Sequence, residues 1–220
     1  MNRATWGTGA VLALALGCVP APAYAQVGIR AVGVVALAEH RVNAGRGVEQ
    51  ASGTLLGAEG KLLIGSRMEV FVHAAGGQLN ADSASADDRH VAEAEVRAAV
   101  LTVPWLALHA GVSARSYTTT LARQRWIAVR FGGEVRLAFV GGGVTGILRA
   151  EILPSVAVSG LERPNRAYAA GAGLEYRFGA VAVGVRYALE RFDFPMVAGF
   201  ARAEQMSSLT LHAGLELGGR

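Results

Sequence analysis

The residues Gly171–Glu190, GAGLEYRFGAVAVGVRYALE, decide the fold. In the first half, Glu175 and Arg177 alternate with apolar residues, and after a Gly-Ala break Arg186 and Glu190 do the same. A helix turns by about 100° per residue and would place Glu175 and Arg177 on different sides. A period of two instead indicates strands with one polar and one apolar face. Two such strands around a tight turn predict a β-hairpin.

The same pattern recurs along the whole chain after the first two dozen residues. Ten alternating segments can be traced, each about as long as the roughly 9–11 residues of a tilted membrane strand, or slightly longer. They lie near residues 27–38, 54–64, 67–77, 91–102, 105–117, 126–139, 145–157, 167–178, 180–191 and 207–217. Their near-continuous succession as hairpins predicts an all-β, antiparallel up-and-down transmembrane barrel of ten strands, with eight as the alternative count.

The connections between these segments alternate between long and short. The long ones are 39–53, 78–90, 118–125, 158–166 and 192–206, and the short ones are 65–66, 103–104, 141–144 and 179. Long loops at one end and tight turns at the other are typical of outer-membrane barrels.

Charged residues occupy one parity within each predicted strand, whereas all four aspartates fall in predicted loops. In a barrel the charged parity faces the lumen, and small barrels are filled by side chains. We therefore expect a network of ion pairs there, although a selectivity filter or gate is the functional alternative. The candidates are Glu59, Lys61, Glu93, Glu95, Arg97, Arg130, Glu134, Arg136, Arg149, Glu151, Glu175, Arg177, Arg186 and Glu190.

Three histidines, His73, His109 and His212, share the luminal parity. No two of them have the close spacing of metal ligands. We expect them to join the polar interior, and we predict neither a cofactor nor a metal site.

Residues 1–25 have the pattern of a cleaved secretory signal peptide. Arg3 supplies the positive charge, an apolar run covers residues 10–16, and Ala23-Tyr24-Ala25 matches an A-x-A cleavage site. A lipobox around Cys18 is the competing interpretation. Cleavage after Ala25 would leave a barrel domain of residues 26–220 without cysteine, so no disulfide could staple it.

The charge balance argues against nucleic acid as a partner. Removing Arg3 from the 21 basic residues leaves 20 against 17 acidic ones, a net charge of +3. These charges are scattered singly, whereas a nucleic-acid-binding face needs a basic cluster.

The last segment, Leu209–Leu217, carries a polar residue at His212, a glycine at Gly214 and an apolar residue at Leu217. In this the chain resembles the small outer-membrane β-barrel proteins of Gram-negative-type bacteria, whose assembly signal has this form. The resemblance implies a monomeric protein of the outer membrane, with the lipid bilayer and the barrel-assembly machinery as partners. Aromatic belts are expected at the membrane surfaces, with Phe139, Tyr168 and Phe178 as members.

The preferred function is a non-enzymatic outer-membrane protein. It is either a narrow, porin-like channel for ions or small solutes or a structural barrel that presents its loops. One alternative is a hydrolase at the rim, a protease or lipid-modifying enzyme, in which Asp87, Asp88 and His90 polarise a water. The other is a soluble periplasmic β-sandwich or lipocalin-like binder, since sandwiches also alternate.

Overall fold

A computed structural model of the protein describes residues 27–45, 47–82, 87–139, 143–196 and 199–218. Ten antiparallel strands form one closed barrel in which each strand pairs with its sequence neighbours and β1 pairs with β10. The strands are β1 (Val27–Asn43), β2 (Val48–Ile64), β3 (Met68–Ala81), β4 (Arg89–Val103), β5 (Leu106–Thr118), β6 (Arg123–Ala138), β7 (Val144–Val158), β8 (Arg166–Phe178), β9 (Val181–Asp193) and β10 (Ala203–Leu217).

This topology confirms the ten-strand barrel predicted from the sequence. The count of eight is wrong, and so is the two-sheet sandwich, because a single sheet closes on itself. The predicted signal peptide lies outside the described residues. Within the part of the chain that is described, no helix is long and apolar enough to cross a bilayer.

The strands extend further than predicted at the end with the longer loops, which we call the long-loop end. The first strand was predicted to stop at residue 38, but β1 continues to Asn43 and pairs with β2 from Val48 onward. The connection between them shrinks to residues 44–47. The polar residues at this end are of the kind found in loops, but their backbones continue the hydrogen-bonded pairing of β1 with β2. Asp193, expected in a loop, is likewise the last residue of β9.

The outer surface of the barrel carries a continuous apolar band. Along β8 it runs from Phe178, at the end with the tight turns (the short-turn end), to Tyr168. The ten residue steps between them, at about 3.3 Å each and a tilt of roughly 40°, span about 25 Å, the height of a membrane-facing band. Phe139, Phe178 and Tyr168 are all exposed on this surface, and Trp105 joins them at the short-turn end.

Charged side chains on the outward face of the described strands occur only beyond this band, at the long-loop end. They are Glu39, Arg41, Arg123, Arg125, Arg166, Arg191 and Asp193. The outer surface therefore has one wide apolar zone bounded by charge on one side.

The first and last strands approach each other closely where they meet. Val32 pairs with Gly214 across this seam, and a Cβ on Gly214 would lie 2.1 Å from the Ala31 carbonyl oxygen. Glycine is therefore needed there for the two backbones to approach.

One interruption of the wall lies between β7 and β8. The alternation of β7 breaks at Pro154 and Ser155, so Leu153 and Val156 both point inward. The β6–β7 ladder continues past this bulge to Val158, whereas the β7–β8 ladder ends at the pair formed by Ile152 and Tyr168. Pro154 has no backbone N–H to extend that ladder. A notch in the long-loop end of the wall is the result.

Candidate functional site

The lumen has two layers, and the layer nearer the short-turn end is filled by ion pairs. Glu151 lies at its centre with a side chain that is 0% exposed. It accepts hydrogen bonds from Arg130 Nε at 2.8 Å and from Arg97 Nη1 at 3.3 Å. A third contact, of 2.8 Å, joins its Oε1 to His109 Nε2. We call the ion-paired layer around Glu151 the lower ion network.

Arginines connect this centre to acids on other strands. Arg130 Nη1 donates to Glu190 at 2.5 Å, and Arg115 donates to both Glu190 at 2.7 Å and Glu93 at 2.9 Å. His73 Nε2 lies 3.2 Å from Glu93 and thereby extends the chain of contacts. Because these residues come from β3, β4, β5, β6 and β9, the network crosses the lumen.

A second group lies closer to the short-turn end. Arg136 makes a bidentate contact with Glu69, at 2.6 and 2.5 Å, and also donates to Glu134 at 2.8 Å. Arg149 donates to the other oxygen of Glu134 at 2.7 Å, and Lys61 lies 3.5 Å from Glu69. Each carboxylate is thus shared by two cations.

The structure places all fourteen candidate residues in at least one ion pair within or at the mouth of this layer. Arg177 is the outlier, with a side chain that is 49% exposed beside Glu175 and Glu216 at the short-turn end. Other luminal residues also take part. Arg30, Glu69, Arg115 and Glu216 were not among the candidates, although their parity marks them as luminal. The three histidines expected in the polar interior, His73, His109 and His212, each lie within 3.6 Å of a glutamate.

The layer nearer the long-loop end is apolar and aromatic. Trp126 packs against Phe192 with a ring-centroid distance of 4.9 Å and against the edge of Phe194 at 6.0 Å. Tyr117 approaches Trp126 edge-on, and its hydroxyl lies 3.8 Å from Met206 Sδ. We call these five residues the upper apolar cap.

A buried polar cluster seals the rim of the cap. His40 stacks on Tyr117 at 4.3 Å, lies 3.2 Å from Glu204 through Nε2, and accepts from Arg89 at Nδ1 over 2.8 Å. Acceptance at Nδ1 leaves Nε2 as the position that donates to Glu204. Sequence reasoning missed His40 and Glu204 because both fell in predicted loops, although each continues the luminal parity of its strand.

Little open space remains between the two layers. A cavity of about 40 Å³ lies within the ion-paired layer, and one of about 130 Å³ lies between the layers, beneath Trp126 and Met206. A water molecule in the liquid occupies about 30 Å³, so these cavities hold a few waters at most. At the long-loop end, Leu79 and Glu204 are 0% and 1% exposed. The described side chains that point into the lumen at this end are thus closely packed.

The three rim residues of the hydrolase alternative do not form a hydrogen-bonded set within the described residues. Asp88 accepts from the Ala81 backbone N–H at 2.8 Å and so fixes the end of the β3–β4 hairpin. His90 lies in β4 on the outward parity, and no hydrogen bond joins it to Asp87 or Asp88 within the described residues. Among those residues, no group of three or more His, Cys, Asp or Glu could hold a metal ion.

Comparison with solved structures bears on the architecture. The outer-membrane protease OmpT from Escherichia coli superposes with a TM-score of 0.53 at 11% identity, over 88% of this chain and 97% of that one. The chain has the outer-membrane β-barrel fold. The translocator domain of the autotransporter NalP from Neisseria meningitidis gives a TM-score of 0.48 at 13% identity, over 86% and 88% of the two chains. Neisserial surface protein A gives 0.41 at 12%, over 85% and 96%.

Likeness at such low identity concerns the fold alone. No protein-family model matches the sequence, and no curated protein matches it either. The filled lumen, the outer surface and the rim are the features of this chain that bear on its function.

Proposed function

We propose that the protein is an integral outer-membrane barrel with a closed lumen, which presents its extended hairpins on the outside of the cell. One observation carries the proposal: the side chains of the upper apolar cap and of the lower ion network occupy the lumen among the described residues. Leu79 and Glu204, at the long-loop end, are fully buried. A channel needs a continuous aqueous path through the lumen. Membrane barrels are wide enough to contain such a path only when they have many more strands.

Several features support an outer-membrane location for this protein. The leader of residues 1–25 would direct export, and the apolar band of about 25 Å matches the hydrocarbon region of that membrane. In this orientation the short-turn end faces the periplasm and the long-loop end faces the exterior. We further propose that the barrel is a monomer that is delivered by the barrel-assembly machinery and spans the lipid bilayer.

The extended strands support the role of presentation. The outward charges Glu39 and Arg41 lie on β1 beyond the apolar band, so the wall continues outside the membrane. The buried cluster of His40, Arg89 and Glu204 ties this projecting wall together from within. The result is a rigid collar suited to holding loops in fixed positions.

Conductance of the chain in a planar bilayer tests the closed lumen. We expect the mature protein, residues 26–220, to insert without producing discrete current steps. Insertion is checked separately in vesicles, by the resistance of the barrel to added protease. Reproducible single-channel steps from protein that passes this check would overturn the proposal in favour of the narrow, porin-like channel for ions or small solutes.

We also propose that the protein is not an enzyme. Support comes from the rim, where His90 points outward while Asp88 is engaged by the backbone of β3. Hydrolysis of a casein-derived peptide and of phospholipid is measured for the wild type and for the triple variant Asp87→Asn/Asp88→Asn/His90→Gln, which is the control. Equal turnover by the wild type and the variant is expected. Hydrolysis by the wild type that the variant lacks would restore the rim hydrolase.

A further inference from the structure

The notch between β7 and β8 is an amphipathic opening in the wall. Its cavity has a volume of about 360 Å³. Ile152 and Tyr168 form its floor, Pro154 and Ser155 one side, and residues 163–166, which lead into β8, the other. Within the described range 143–196, β7 has no partner on the β8 side from Leu153 to Val158. Backbone polar groups on that edge are therefore available to a ligand.

The notch begins at the outer boundary of the apolar band. Ile152 pairs with Tyr168, which ends the band on β8, so the floor of the notch lies at the membrane surface. Ile152 is 63% exposed on the lipid-facing side. Tyr168 beside it has an aromatic ring with a polar tip, the kind of side chain that occupies the headgroup level. A lipid with its chains along Ile152 would place its headgroup in the notch.

The upper part of the notch is cationic. Arg163 and Arg166 both line it, and both are exposed. No carboxylate among the described residues lies within 4.0 Å of either guanidinium, whereas neighbouring Arg191 is engaged by Asp193 at 2.9 Å. Glu162 and Asp193 are the nearest acids in sequence and register. Paired arginines in a fork geometry suit the oxygens of a phosphate group.

We propose that the notch binds the phosphate-bearing headgroup of an anionic lipid from the outer leaflet. The phosphate lies between Arg163 and Arg166, the open edge of β7 supplies backbone donors, and the acyl chains follow Ile152 down the apolar band. Pro154 and Pro164 keep the notch open, because neither can extend a strand ladder. The inference goes beyond the closed-lumen function, and it holds whether or not the lumen conducts.

Lipid retention measured by native mass spectrometry tests this site. The mature barrel is refolded in detergent and mixed with phosphatidylglycerol or with phosphatidylethanolamine of the same chains. We expect one phosphatidylglycerol retained per barrel, in preference to phosphatidylethanolamine. Arg163→Ala/Arg166→Ala is expected to weaken retention about 30-fold, since each basic residue near a membrane surface contributes about 1 kcal/mol and a factor of ten is about 1.4 kcal/mol.

Two further variants separate the notch from charge in general. Arg41→Ala/Arg67→Ala removes the same charge from positions far from the notch, on β1 and in the β2–β3 turn, and should retain the lipid. Ser155→Trp fills the notch without changing charge and should release it. All variants are first shown to be folded by circular dichroism.

Three results would overturn the proposal. The first is equal retention by the notch variant and its charge-matched control. The second is retention of phosphatidylethanolamine as strong as that of phosphatidylglycerol. The third is full displacement of the lipid by inorganic phosphate at millimolar concentration, which would assign the arginines to a free anion.

Discussion

Replacing Glu151 by alanine removes the carboxylate at the centre of the lower ion network. Three cationic or polar partners, Arg97, Arg130 and His109, contact it, and its side chain is 0% exposed. Breaking a buried ion pair by removing one partner costs about 3–5 kcal/mol, because the remaining charge is uncompensated. Arg97 still has Glu95 at 3.0 Å and Arg130 still has Glu190 at 2.5 Å. We therefore expect a loss at the lower end, about 3 kcal/mol.

Urea unfolding of the barrel in detergent micelles measures this loss. Tryptophan fluorescence reports the transition, because Trp126 is buried inside the lumen and Trp105 is exposed on the outer surface. With a slope of about 2 kcal/mol per M, Glu151→Ala should lower the midpoint by about 1.5 M. Glu151→Gln keeps the shape and neutral hydrogen bonds, which are roughly half as strong as charge-assisted ones, so about half the shift is expected.

The matched control is Glu49→Gln at the rim. Glu49 is 50% exposed and 3.9 Å from Arg89, so its loss should change the midpoint by no more than about 0.5 M. If Glu151→Ala and Glu49→Gln shift the midpoint equally, the lower ion network does not stabilise the barrel, and the reasoning from burial is refuted.

Two further substitutions test the seam and the outer surface. Gly214→Val should prevent closure of β1 on β10, because its Cβ would lie 2.1 Å from the Ala31 carbonyl oxygen. Gly33→Ala on the same seam meets nothing within 4 Å, so we expect only Gly214→Val to lose the protease-resistant barrel. Leu148→Arg places a charge near the middle of the apolar band and should cost about 2–4 kcal/mol in vesicles, while Gln205→Arg beyond the band should cost about 1 kcal/mol or less. Equal urea midpoints for these two arginine variants would show that the band does not face lipid.

The strands of this barrel could be predicted because one face of each is apolar and the other charged. Glu175 and Arg177, which alternate with apolar residues in the sequence, lie on the luminal face of β8 in the structure. Strand ends at the long-loop end could not be predicted, because the pattern changes beyond the membrane. There the outer face of β1 meets water and carries Glu39 and Arg41, whereas its inner face holds the buried Val42, so the charged parity moves to the outside. His40 was missed for this reason.

Which luminal charges meet could not be predicted either. Glu59 pairs with Arg186, 127 positions away, and Arg115 with Glu190, 75 positions away. Contacts across the lumen depend on the stagger of all ten strands and not on local spacing. The break in β7 at Pro154 also depends on its neighbours, because a proline in a strand marks an edge or a bulge only once the pairing is known.

The seam between β1 and β10 sets an order of events during assembly. Every other strand interface joins consecutive hairpin partners, whereas Ile29 meets Leu217, which is 188 positions further along the chain. Local hairpins form quickly, but a contact of such long range must wait until the intervening chain is arranged. Until β10 arrives, the barrel is a curved ribbon with two unpaired edges, which are open to pairing with other chains. Pairing of β10 with β1 covers both edges and ends the period in which the chain can pair with others.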